Sequence, residues 1–97
     1  MNRENKNIET ITGFYCYIEN PCTTDPCLPG MACAVKVKEK YYYLTVNDLW
    51  FSENRSWAKY IPKLNDLVTV DGFVREKQDI FGNPFRTIEI VSLKLNE

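Results

Sequence analysis

Two alternating runs joined by a tight turn constrain this chain more than any other feature. In residues 66–75, Val68, Val70 and Val74 alternate with Thr69, Asp71, Phe73 and Arg75. In residues 85–93, Ile88 and Ile90 alternate with Thr87 and Glu89. A period of two is that of a strand with one buried and one solvated face. Between the runs, Phe81-Gly82-Asn83-Pro84 supplies residues that tolerate positive φ or fix φ, so the chain reverses there.

Three more strands are expected upstream. The first spans Ile8 to Glu19 and is interrupted by Gly13, where a strand can bend. Asn20 to Gly30, with three prolines and two cysteines, has the composition of a loop. Met31 to Lys38 is the second strand, with Cys33, Val35 and Val37 on one face. A turn at Glu39-Lys40 leads to a third, Tyr41 to Asn47, in which Tyr42, Leu44 and Val46 alternate with Tyr41, Tyr43 and Thr45. Asp48 to Tyr60 breaks this pattern. Leu49, Trp50, Trp57, Tyr60 and Ile61 form a stripe, Asp48 or Ser52 can cap, and Pro62 stops the run, so a short helix is expected over 48–60.

The order strand-strand-strand-helix-strand-strand resembles the OB-fold, a five-stranded Greek-key barrel that binds oligonucleotides or oligosaccharides. The last two runs carry the resemblance most closely. An acidic residue, Asp66, opens the fourth strand, Gly72 sits where it bends, and Ile88-Glu89-Ile90 fits the fifth. The resemblance implies an all-β fold with one short helix between strands 3 and 4. The length of 97 residues sets a single domain over residues 8–97, and the polar residues 1–7 read as a disordered lead-in. The core expected for it is Phe14, Ile18, Val35, Val37, Leu44, Val46, Val68, Val70, Val74, Ile88 and Ile90.

Cys16, Cys22, Cys27 and Cys33 are spaced C-x5-C-x4-C-x5-C. The spacing is symmetric, so an antiparallel hairpin in that register sets Cys16 opposite Cys33 and Cys22 opposite Cys27. Cys16 and Cys33 then both point inward. Buried thiols, which behave as small hydrophobes, are the first reading. A disulfide across the strands or across the loop is the second. A zinc site on all four cysteines ranks last, because the spacing lacks C-x2-C knuckles and the chain has no His.

Carrying that register through the first three strands predicts an outward face of Tyr15, Tyr17, Lys36, Lys38, Tyr41 and Tyr43. Lys36 would oppose Tyr43, and Lys38 would oppose Tyr41. The OB resemblance makes this face, flanked by the loops at 20–30 and 77–84 with Phe81 at a tip, a nucleic-acid site. Aromatic rings stack bases and lysines follow phosphates. The same residues also suit an exposed sheet with no ligand, or a surface for a protein partner.

Net charge is −1, from 12 basic and 13 acidic residues, which is unlike a protein that coats DNA through phosphate contacts alone. Residues 36–63 hold six basic side chains against three acidic, a local +3 that leaves −4 for the two ends together. With no His, no phosphate-binding Gly-rich loop and no nucleophile elbow, the expectation is a binding module rather than an enzyme, with no cofactor. No run reaches the roughly 18 apolar residues of a membrane span, and no signal-peptide core follows the polar start. A cytoplasmic location is slightly favoured on that ground, with a processed exported form left open.

Overall fold

The computed structural model describes residues 7–27, 30–47, 49–51 and 62–96, and these form an all-β fold. Its strands are β1 (Glu9–Glu19), β2 (Met31–Val37), β3 (Lys40–Val46), β4 (Leu49–Trp50), β5 (Leu67–Gln78) and β6 (Pro84–Leu95). Hydrogen-bonded pairs join β2 to β1, β1 to β5, β5 to β6, β6 to β3 and β3 back to β2, so five strands close a ring. All of these pairs are antiparallel except β3–β6. Residues 1–6 of the expected lead-in lie outside the described residues. Among the described residues, no helix is long and apolar enough to cross a membrane.

The apolar alternation read from the sequence lines the inside of the ring. Val35, Leu44, Val68, Val70, Ile88 and Ile90 are buried with Cys33, Tyr15 and Phe51, and Val37, Val46 and Val74 pack against them. Two glycines make the close strand approaches possible. Gly13 stands where β1 leaves β5 for β2, and a Cβ there would collide with the Lys36 carbonyl. Gly72 stands opposite a bulge of β6, where Val91 is left unpaired, and its Cβ would collide with the Glu89 carbonyl.

Three expectations are corrected. First, the segment after β3 does not enter a helix. Asn47 takes φ 52°, Leu49 and Trp50 turn back to pair with Val46 and Thr45, and Phe51 drops into the core. Asn tolerates that left-handed conformation, and a turn there competes with helix initiation. No helix occurs among the described residues, and residues 48 and 52–60 of the expected helix lie outside them.

Second, β1 has the opposite phase. Tyr15 pairs with Val35, Cys16 with Ala34 and Tyr17 with Cys33, one residue away from the cysteine-symmetric register. A one-residue slip sends every side chain of a strand to the other face. Tyr15 and Tyr17 therefore face the core, while Phe14, Cys16 and Ile18 face outward. The phase is fixed from the β5 side, where Ile11 pairs with Val70 and Gly13 with Val68. The buried Tyr15 hydroxyl meets the Cys33 Sγ at 2.9 Å, which satisfies its polar end.

Third, the β2–β3 turn is Lys38-Glu39 and not Glu39-Lys40. Val37 pairs with Lys40 and Lys36 with Tyr41, and Lys38 takes φ 59° in the turn. This shift is by two residues in the pairing, so β3 keeps the faces expected for it.

Candidate binding face

The outward surface of β1, β2 and β3 is built on small side chains in the middle strand. Ala32 and Ala34 leave room for a large neighbour, and Tyr43 takes it. Its hydroxyl donates to the Glu19 carbonyl at 2.7 Å, so the side chain reaches from β3 across β2 to the end of β1. Tyr43 is consequently only 9% exposed, and the two alanines beneath are buried. Trp50 and Phe85 meet the Tyr43 ring edge-on, with centroids 5.5 and 5.7 Å away. Such edge contacts add to what burial alone contributes. Burial raises the Tyr43 hydroxyl above the usual phenol range, with Glu19 and Cys16 adding to the shift.

Beside this packed trio lies an open row. Phe14 pairs with Lys36, and Lys36 pairs with Tyr41, so the three side chains cross three adjacent strands on one face. Phe14 is 53% exposed and Tyr41 39%. Lys36 Nζ lies 5.8 Å from the Tyr41 ring centroid, within cation–π range. Strands spaced about 4.8 Å apart put the backbones that carry the two rings roughly 10 Å from each other, with Lys36 on the strand between them. Further round the face, Arg75 Nη1 donates to Glu89 Oε1 at 2.8 Å, so that cation is already paired.

Two loops border the surface and touch each other. In the β5–β6 loop, Asp79 Oδ1 accepts from the Phe81 and Asn83 amides, both at 2.9 Å, and Gly82 takes φ 86°. Phe81 at its tip is 70% exposed. The Ile80 amide donates to the Cys22 carbonyl at 2.9 Å, tying this loop to the one after β1. A cleft of about 450 Å³ lies under the β2–β3 turn, lined by Val37, Lys38, Glu39, Lys40 and Tyr42.

Of the residues expected on the face, Lys36, Tyr41 and Tyr43 lie there, with Tyr43 as packed support. Lys38 lies in the neighbouring turn and Phe81 at the loop tip, while Tyr15 and Tyr17 face the core. Phe14 and Trp50 were not expected there, and Phe85, expected only just beyond the flanking loop, packs on Tyr43. Phe14 follows from the phase of β1, and the other two needed the turn at Asn47 and the parallel β3–β6 pairing.

The cysteines divide three ways. Cys22 and Cys27 form a disulfide within the loop, whereas Cys16 and Cys33 remain thiols on opposite faces of the sheet. Cys16 and Cys33 therefore do not stand face to face, as the symmetric spacing has them. Burial pushes the Cys16 thiol up, an effect that Lys36 opposes and Cys33 adds to. Comparison with protein-family models, with curated proteins and with solved structures gave no match.

Proposed function

We propose that this protein is a non-catalytic binding module of the OB type, taking single-stranded nucleic acid on the outer face of β1–β2–β3. The observation that carries the reading is the open row Phe14–Lys36–Tyr41. Rings on strands about 10 Å apart offer stacking surfaces for two bases, and the lysine on the strand between them offers a phosphate contact. The packed trio of Tyr43, Trp50 and Phe85 keeps the adjoining surface rigid, so little ordering is left for the ligand to induce. The barrel assignment draws support from connectivity. Strands β1, β2 and β3 follow one another, and β5 returns after a long connection to lie beside β1, which is a Greek-key order.

A titration of mixed-sequence single-stranded DNA and RNA, read by fluorescence anisotropy at several salt concentrations, tests this. Affinity falls steeply with salt, because phosphate contacts release counterions. Lys36→Ala weakens binding and lowers the salt slope by about one. Tyr41→Ala costs on the order of 1–3 kcal/mol. The absence of binding to either polymer at low salt would remove the nucleic-acid reading. Two features of the chain favour a protein partner instead. The net charge of −1 gives no long-range attraction to a polyanion, and exposed Phe14, Tyr41 and Phe81 suit an apolar contact. Such a partner would bind with little dependence on salt.

A further inference from the structure

We infer that the Cys22–Cys27 disulfide is a positioning device that sets Phe81 against a ligand on the outer face, so that its reduction weakens binding and leaves the fold intact. This rests on the reading of that face as a binding site.

The bond has little to do with the core. Both half-cystines lie in the loop after β1, five residues apart in sequence, and the inward side chains come from the strands and Phe51. Closing so short a loop removes less freedom from the unfolded chain than closing a long one. What it does constrain is the backbone of residues 22–27, including the carbonyl of Cys22. Apart from the sulfur bridge, the Thr24 hydroxyl donates to the Pro26 carbonyl at 3.0 Å, and Pro21 and Pro26 restrict φ. The Asn20 amide donates to the Gly30 carbonyl at 3.0 Å and closes the base of the loop, so the bridge acts on the segment between, where the Cys22 carbonyl lies.

The Cys22 carbonyl is where the second loop is fastened. The β5–β6 loop is internally closed. Asp79 N donates to the Asn83 carbonyl at 2.9 Å, Gly82 N to the Asp79 carbonyl at 3.0 Å, and the Asp79 carboxylate takes the Phe81 and Asn83 amides. It therefore moves as a unit on the ends of β5 and β6. The Ile80–Cys22 bond pins that unit to the first loop, one residue before Phe81. Phe81 is thus held out in solvent at a position that the disulfide-closed loop defines.

The chemistry is an ordinary exchange with a small dithiol. Its thiolate attacks one sulfur of the bridge, the other leaves as a thiolate and takes a proton, and the second dithiol sulfur completes the transfer. Two electrons and two protons reach the protein, giving two thiols and a cyclic disulfide. Cys22 and Cys27 are positioning residues in this scheme, and Phe81 is the contact.

The test uses the full chain and a fluorescein-labelled, mixed-sequence single-stranded DNA at low salt. The oxidised protein, the same protein after dithiothreitol, the double variant Cys22→Ser/Cys27→Ser, and Phe81→Ala are titrated side by side. Reduction and the double serine variant each weaken binding about 5- to 100-fold, no more than Phe81→Ala does, as expected for loss of one stacking ring. In the Phe81→Ala background, reduction changes nothing. Amide exchange at Ile80 is slow in the oxidised protein and fast in the reduced one, and circular dichroism shows the reduced domain still folded. Equal affinities before and after reduction overturn this inference, as does unchanged exchange at Ile80, a loss that persists without Phe81, or unfolding on reduction. If oxidised protein binds no oligonucleotide, the proposed function itself falls and this inference with it.

Discussion

Asp71 on β5 lies beside the β6 bulge and joins three strands at one carboxylate. Oδ1 accepts from the Thr10 hydroxyl on β1 at 2.6 Å, and Oδ2 accepts from Ser92 on β6 at 2.9 Å. These two bonds hold its carboxyl below the usual carboxylate range. A depressed native pKa contributes stability that is complete above the ordinary value and is lost as pH falls through the native one. Asp71→Asn should therefore lower the melting temperature at pH 7, and the difference from wild type should close as pH drops below the carboxylate range. A difference that stays constant with pH would show that the charge is not what matters. The cysteines make a second prediction at this scale. Thiol counting in denaturant gives two without reductant and four after reduction. In the native protein Cys16 reacts slowly with iodoacetamide at neutral pH, because burial disfavours its thiolate, and buried Cys33 reacts only on unfolding. Four thiols without reductant would contradict the disulfide.

At the scale of the element, β5 and β6 were the most legible parts of the chain. Val68, Val70, Ile88 and Ile90 all face the core, and the reversal falls at 79–83 as the Gly-Asn-Pro sequence requires. Gly72 was expected to mark a bend, and it lies at the bulge against Glu89. Gly72→Val forces a side chain into that carbonyl and should cost about 2 kcal/mol or more in urea unfolding. A variant as stable as wild type would mean that the bulge can open. The phase of β1 was not legible, for a physical reason. Both of its faces are apolar or aromatic, with Ile11, Tyr15 and Tyr17 on one and Phe14, Cys16 and Ile18 on the other. Its own alternation cannot choose between them, and the symmetric cysteine spacing points to the wrong one. The choice is made by pairs with β5, and such contacts between distant residues leave no local mark. Tyr15→Ala should then cost about 3–5 kcal/mol, as for other large core truncations, while exposed Phe14→Ala costs under about 1 kcal/mol. The reverse order would restore the phase read from the sequence.

Across the whole molecule, the ring joins a core and an outer face that do separate work. Inside, strands of alternating pattern bury their branched residues. Outside, Tyr43 spans the alanines of β2 and braces Trp50 and Phe85, and the row of Phe14, Lys36 and Tyr41 remains open beside them. Aromatic–cation composition on strands 2 and 3 was visible in the sequence, because β3 kept its expected faces. The contribution of Trp50 was hidden by a segment whose apolar stripe suggests a helix, and that of Phe85 by a parallel pairing that no local pattern encodes. If the open row receives the ligand, Phe14 contributes to binding, although the alternation of β1 in the sequence points it to the core. Titrating labelled single-stranded DNA into Phe14→Ala at low salt should show a loss on the order of 1–3 kcal/mol with the melting temperature nearly unchanged. Unchanged affinity in a folded Phe14→Ala protein would move the binding surface elsewhere on the ring.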